Sequence, residues 1–315
     1  MEEAICDNYV EVRSFAALKR VVADYINLMK PGVLSLLLVS TCCPMLLAAG
    51  GEIETAILIY ALVGGYLISA SASVFNCIWD RDIDAIMERT KNRPLAAGRV
   101  TVPRAFVYGV VLGIVGFTIL WFGLNPLAAS ISLFGHFFYV FIYTIWLKRS
   151  TPQNIVIGGA AGAIPPIVGW VGVTNHLSID AILLFFVIFL WTPPHFWALA
   201  LNKNSDYRRA GVPMLPVVSG EAETVKQMLW YALSLIPVSA VLVYSNKYLG
   251  MFSLFALAII GIVFSFKVYQ LKQLIAKGAD LALKTKKAWD VFGFSLIYLA
   301  LFFVFIVFDA FLSQT

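Results

Sequence analysis

Nine apolar runs, each close to the length of a bilayer-crossing helix, constrain this chain more than any other feature. They lie at about 33–49, 55–79, 104–122, 127–147, 154–173, 178–200, 226–245, 249–271 and 289–311. A helix needs roughly 20 predominantly apolar residues to cross a hydrocarbon core. A soluble fold does not need nine such runs separated by short loops. The chain therefore reads as an all-α integral membrane protein, consistent with 60% hydrophobic and 13% charged residues.

A net charge of +5 could suggest a nucleic-acid partner, but its distribution argues for none. With the N-terminus inside and nine alternating spans, 22 of the 23 Lys and Arg residues fall on the cytoplasmic side and only Lys247 falls outside. Cytoplasmic loops carry such an excess, so the expected topology is N-in, C-out, with the lipid bilayer as partner. The start, M-E-E-A-I-C-D-N-Y-V-E, resembles neither a transit peptide nor a cleaved signal. A bacterial plasma (inner) membrane is the simplest location. Cys6, Cys42, Cys43 and Cys77 show no metal-ligand spacing and read as free thiols. Residues 1–32 form an N-terminal cytoplasmic segment, and 33–311 a single transmembrane domain. Within the segment, Phe15, Leu18, Val22, Ile26 and Met29 recur at helical spacing over 14–30, with Lys19 and Arg20 off the stripe. That pattern suits a helix lying at the interface, or one that simply leads into the first span.

Two inner connections, about 80–103 and 202–225, are long and charged, whereas the outer ones are short. The first opens with Asn76-x-x-x-Asp80 and the second with Asn202-x-x-x-Asp206, an offset that places Asp84 on Ala210. Asn76, Asp80 and Asp84 are spaced i, i+4, i+8 and share a face of a continued helix. Two carboxylates and an amide oxygen offer hard ligands that suit Mg²⁺ shared with substrate phosphates. Arg89, Lys91, Arg93 and Arg99 follow, and guanidinium groups match phosphate oxygens. The bland reading is a solvated loop that fixes topology. Bases alone would satisfy it, but aligned acids contribute little to orientation. The second loop also sets bases, Arg208 and Arg209, beside its acid.

His195, Leu199, Asn202 and Asp206 lie on one helical face. His195 falls about 16 Å deeper than Asp206 at 1.5 Å per residue. Pro193-Pro194 just before it is expected to break the helix and free carbonyls. His195 either orients a buried substrate, through a metal or directly, or makes a helix–helix hydrogen bond. His136 and His176 lack acidic neighbours and read as structural. Gly158 to Ala163, followed by Pro165-Pro166, gives a small-residue face that reads as close helix packing rather than room for a flat ligand.

N-x-x-x-D-x-x-x-D at 76–84, followed by R-T-K-N-R-P-L at 89–95, resembles the first signature of the UbiA superfamily of intramembrane prenyltransferases. W-T-P-P-H-F-W-A-L-A-L (191–201), D-Y-R-R-A-G-V-P-M-L-P-V-V (206–218), G-A-I-P-P-I-V-G-W (162–170) and D-Y-I-N-L-M-K-P-G (24–32) are similar to its heme-modifying branch. The resemblance implies a nine-helix bundle with a central cavity open toward the cytoplasmic side. It implies farnesyl transfer from farnesyl diphosphate to a vinyl group of heme b, with water addition, giving heme O and diphosphate. By the same resemblance Asn76, Asp80, Asp84, Asn202 and Asp206 would hold Mg²⁺, and Arg89, Lys91, Arg93 and Arg208 the diphosphate. Asp80, Asp84, Asp206 and Arg93 would be catalytic and His195 would contact heme. A downstream heme-processing enzyme would be a partner. Quinone-prenylating relatives typically carry D-x-x-x-D in the second loop, where this chain has Asn202-x-x-x-Asp206. The competing readings are a polyprenyltransferase acting on a quinone-precursor aromatic acid and, from another class, a polytopic transporter. A transporter would place its ionisable residues near the midplane, often within inverted repeats.

Overall fold

The computed structural model describes residues 17–313; the acidic start, Cys6, Arg13 and Phe15 lie outside them. Among the described residues nine helices are long and apolar enough to cross a membrane. They are Pro31–Ala48, Thr55–Trp79, Val102–Gly123, Pro126–Ser150, Asn154–Thr174, Ile179–Asn202, Gly220–Ser245, Met251–Ala276 and Leu281–Leu312, and are called the first to ninth spans. Several start where the sequence supplies an N-cap. Asn125, Ser178 and Asp280 accept from Ala128, Ala181 and Leu283, and Pro31 and Pro126 stand at first helical positions. Such caps satisfy N–H groups that a helix leaves unpaired at its start.

Each span packs on the next, and the ninth returns onto the first, so the helices close into a ring. The first span also packs on the fifth, the second on the fourth and the sixth on the ninth. Large apolar side chains face outward on nearly every span, with Phe122 81%, Tyr244 96% and Trp146 62% exposed. A soluble monomer rarely presents contiguous apolar surface on this scale, whereas lipid solvates it. Exposed Trp79, Trp146 and Trp230 lie toward one end of the bundle and Tyr60, Trp121 and Tyr244 toward the other, as the aromatic belts of spanning helices do. Along the second span, Tyr60 and Trp79 are about 28 Å apart at 1.5 Å per residue, close to the thickness of a hydrocarbon core.

Three expectations need correcting. The sixth span runs unbroken through Pro193-Pro194, and Thr192 Oγ1 donates to the Ile188 carbonyl at 2.7 Å just before them. The break falls instead in the fifth span, between Asn154–Gly162 and Ile164–Thr174, where Pro165 and Pro166 follow a glycine-rich turn with no side chain to brace it. The seventh and ninth spans begin at Gly220 and Leu281, ahead of the apolar runs. Their inner ends carry Glu221 and Lys284, which pair with each other across the two spans, and Lys287 and Asp290, which pair within the ninth, instead of entering lipid.

Residues 17–29 are helical. Leu18, Val22 and Ile26 on the anticipated stripe are exposed, while Leu28 is fully buried and Asp24 nearly so. Arg99 ties this helix to the first polar loop, its Nε and Nη2 donating to Asp24 Oδ1 at 3.0 and 2.9 Å.

Candidate active site

The second span ends at Trp79, and after a turn at Asp80 the chain resumes as the short helix Arg81–Ile86. Backbone bonds bridge this step, from Asp80 N–H to Asn76 O at 2.9 Å and from Asp84 N–H to Asp80 O at 2.8 Å. The i, i+4, i+8 relation therefore survives the turn, and Asn76, Asp80 and Asp84 are all buried. Asn76 Nδ2 donates to Asp80 Oδ2 at 2.8 Å and to Thr144 Oγ1 at 3.0 Å. Its Oδ1 accepts from Lys30. Lys148 donates to Asp80 Oδ2. Arg93 Nη1 donates to Asp84 Oδ1 and Oδ2 at 2.9 and 2.7 Å, and Arg149 chelates both Asp82 oxygens at 2.7 Å.

The second polar loop mirrors the first. Asn202 is the last residue of the sixth span, and Asp206 lies in the short helix Asn204–Arg209. Asp206 is buried and pairs with Arg209. The two loops close on each other. Arg89 Nη2 donates to Tyr207 Oη at 2.7 Å, with the guanidinium carbon 5.2 Å from the ring centroid. Ile83 and Met87 of the first loop share an apolar core with Tyr207, Val212, Met214 and Leu215 of the second.

Charge is balanced pair by pair. Burial works against the charge on Arg93, but Asp84, by charge and hydrogen bond, more than offsets it and raises the guanidinium pKa. The hydrogen bond from Arg149 holds the Asp82 carboxyl down to about 2. Of the anticipated diphosphate ligands, Lys91 pairs with Glu88 at 2.6 Å in the open, and Arg208 is exposed. Among the described residues no three His, Cys, Asp or Glu side chains gather as metal ligands. Three buried oxygens lack hydrogen-bond partners, Asp80 Oδ1 on the first loop and Asn202 Oδ1 and Asn204 Oδ1 on the second. Arg149 stands 3.8 Å from Asp80 Oδ1. Carboxylate and amide oxygens of this kind suit Mg²⁺.

Deeper on the sixth span, His195 is buried between two rings, Trp191 at 4.3 Å and 17° and Phe292 at 4.7 Å and 23°. Its Nδ1 lies 2.6 Å from Ser295 Oγ. His136 bonds the Ile68 carbonyl across the second and fourth spans at 3.2 Å, and His176 is exposed beside Thr174. The small-residue face is a packing surface at two of its positions: a Cβ on Gly158 would stand 2.1 Å from Tyr143 Cδ2, and one on Gly159 2.9 Å from Thr192 Cγ2.

Sequence reasoning missed Lys30, Thr144 and Lys148 as members of the site. The signal for two of them was present. Thr144 and Lys148 are spaced i, i+4, the same step as the Asn76 and Asp80 they meet. The fourth span, however, is π-helical over Phe138–Leu147, which shifts side-chain phase from the 3.6-residue reading, and π segments are common at functional sites. Lys30 carries a left-handed backbone, φ 58° and ψ 58°. That conformation is costly for a residue with a Cβ and tends to occur where geometry serves a site.

The chain matches the model of the UbiA prenyltransferase family over residues 36–289. It is 45% identical over 298 residues to a protoheme IX farnesyltransferase of Chloroflexus aurantiacus, covering 95% of the chain and 49% of that protein. The chain thus spans about half the length of that relative. It is also 45% identical to a protoheme IX farnesyltransferase of Synechocystis sp., covering 95% of the chain and 92% of that protein. Among solved structures it is similar to a digeranylgeranylglyceryl phosphate synthase, with TM-score 0.74 and 19% identity over 92% of this chain and 98% of that one. A UbiA homolog from Archaeoglobus fulgidus bound to GPP and Mg²⁺ superposes with TM-score 0.60 and 16% identity, covering 90% of this chain and 99% of that one. These two likenesses concern the fold.

Proposed function

We propose a function from one premise: the chain belongs to the UbiA prenyltransferase family. It is a multi-pass membrane enzyme that joins the farnesyl group of farnesyl diphosphate to a vinyl group of heme b and adds water, giving heme O and diphosphate. The observation that carries prenyl transfer is the cluster of buried Asn76, Asp80 and Asp84, paired with Lys30, Lys148 and Arg93 at one end of the bundle, with Asn202 and the buried Asp206 on the second loop that closes against the first. Heme as acceptor is supported by the names of the 45%-identical relatives and by His195 on the same helix as Asn202, seven residues deeper. That spacing, about 10 Å along the axis, leaves a polar mouth for diphosphate and a separate aromatic-lined site for the acceptor.

The unpartnered oxygens of Asp80 and Asn202 would hold Mg²⁺, together with Asn76, Asp84 and Asp206. When bound, the ion supplies positive charge against the departing diphosphate. The chain's own bases do the rest. Arg93 and Arg89, with Lys30 and Lys148, turn toward phosphate oxygens and stabilise the negative charge that grows as the C1–O bond of farnesyl diphosphate breaks. Such preorganised charge in a water-poor site commonly supplies the largest share of a rate enhancement. The spans exclude water from the farnesyl cation until the vinyl carbon attacks C1. The cation left beside the macrocycle then takes a water oxygen and loses its proton, giving the hydroxyethyl product. Lys91 and Arg208, exposed at the rim, act earlier by attracting the anion.

The site faces the cytoplasm of a bacterial inner membrane, with the C-terminus outside, as the Lys/Arg asymmetry supports. The exposed stripe of Leu18, Val22 and Ile26 lies against the same leaflet, and a downstream heme-processing enzyme takes the product from the bilayer. Membranes containing the chain, given farnesyl diphosphate, Mg²⁺ and either heme b or 4-hydroxybenzoate, test the assignment. A mass corresponding to heme O, lost with EDTA, is expected; prenylated 4-hydroxybenzoate with no heme product overturns it.

A further inference from the structure

We infer that Ser295 of the ninth span is a positioning residue that fixes His195 as its Nδ1–H tautomer and leaves Nε2 as a free electron pair for an iron-centred macrocycle. The inference rests on the heme reading above for its ligand, but its geometry stands on hydrogen bonds alone. A serine hydroxyl has one hydrogen to give. Ser295 Oγ donates to the Phe292 carbonyl one turn back on its own helix. The contact of 2.6 Å between Ser295 Oγ and His195 Nδ1 must then carry its proton on the histidine. In a neutral imidazole, a proton on Nδ1 makes Nε2 the acceptor.

Everything around the ring fixes its orientation. Trp191 covers one face and Phe292 the other, and Phe196 meets it edge-on at 5.1 Å. Trp191 is itself pinned, with Nε1 donating to the Ser295 backbone carbonyl at 2.7 Å. One residue of the ninth span thus holds both the histidine and the ring stacked on it. Among the described residues Nε2 has no hydrogen-bond partner, although the side chain keeps only 7% of its surface. A buried imidazole with both faces covered, Nδ1 capped and Nε2 uncommitted is arranged as metal-binding histidines usually are, with the second nitrogen donating to an oriented oxygen. The ordinary alternative, a helix–helix hydrogen bond alone, accounts for Nδ1 but not for the double stacking.

Two measurements test this on the full chain in detergent. The chain has three histidines, so ¹⁵N-histidine spectra compared with those of His195→Asn isolate the ring of interest. Nδ1–H with bare Nε2 is expected in the wild type, and a mixture of tautomers in Ser295→Ala. A wild-type ring protonated on Nε2 overturns the inference. Hemin titration followed at the Soret band supplies the second readout. Loss of an orienting partner typically costs 10–100-fold in metal affinity. Ser295→Ala should therefore weaken hemin binding by about tenfold or more, and Ser295→Thr, which keeps the hydroxyl, should stay near wild type. Equal hemin affinity in wild type and Ser295→Ala overturns the positioning role and leaves the heme reading standing. A wild type with no His195-dependent Soret change overturns both, and it is told apart because the failure precedes any substitution at Ser295.

Discussion

Replacing Arg93 by Met separates what the site's charges do for folding from what they do for turnover. The Asp84 side chain keeps 4% of its surface and that of Arg93 31%, with the closest contact at 2.7 Å. Removing one partner of a buried pair costs about 3–5 kcal/mol, because the other charge is left unpaired in low dielectric. Arg93 is about one-third exposed, so water enters the gap and screens part of the loss, which leaves about 2–3 kcal/mol. For a chain this size that is a drop of roughly 3–5 °C in the melting temperature. In Arg93→Met/Asp84→Asn no buried charge is orphaned, so most of that drop should return as a coupling term. Turnover should behave differently. If Arg93 stabilises the leaving diphosphate, each single variant and the double lose about 10²–10³ in kcat, as when a preorganised donor is removed. Thermal melts in detergent and heme O production by mass spectrometry read the two quantities independently. A double variant that recovers turnover along with stability would refute the catalytic role and leave the pair a structural clasp.

Three further outcomes follow from the same geometry. Lys148→Met should destabilise more than Arg93→Met, toward the 3–5 kcal/mol end, because Asp80 is completely buried and its remaining base, Arg149, is 3.8 Å away; equal melts for the two variants would count against this ranking. Gly158→Ala should cost about 1–3 kcal/mol by overpacking, since the new Cβ meets Tyr143 at 2.1 Å, whereas Gly162→Ala, with nothing within 4 Å, should be silent in the same melts. Asp82 titrates at about 2 when folded and near 3.8 otherwise, so its contribution is complete above pH 4 and fades as pH falls toward 2. The pair is largely exposed and worth roughly 0.5 kcal/mol. Asp82→Asn should therefore leave melts within about 1 °C and turnover flat between pH 6 and 8, and a sloping profile there would contradict it.

How much of this was legible in the sequence depends on which physical term dominated each element. Lipid solvation dominates the spans, and hydropathy locates all nine to within a few residues in their middles. It fails at the inner ends of the seventh and ninth, because hydropathy records the thickness of the hydrocarbon, whereas a helix continues into water as long as its backbone and charges are paired. Lys284 with Glu221 and Lys267 with Asp290, at 3.1 and 2.7 Å, are what carry those ends outward. The acids of the site were legible because a carboxylate does little for topology and so calls for another explanation. Three bases that meet them were not, for the converse reason. Lys30, Lys148 and Arg149 already had a sufficient explanation as cytoplasmic charges, and a residue explained once by orientation gives no sign of a second role. The π-helical stretch of the fourth span hid Lys148 further by shifting it off the face that a regular helix would assign. Ser295 was hidden more completely, since a lone serine in an apolar ninth span has no pattern until the sixth span brings His195 and Trp191 against it. Local periodicity thus revealed the members that recur at helical spacing along one stretch of chain, Asn76 with Asp80 and Asp84, and His195 with Asn202. Lys30, Lys148 and Ser295, which pair with or orient them, come from other helices, and only the closure of the ring puts them in contact.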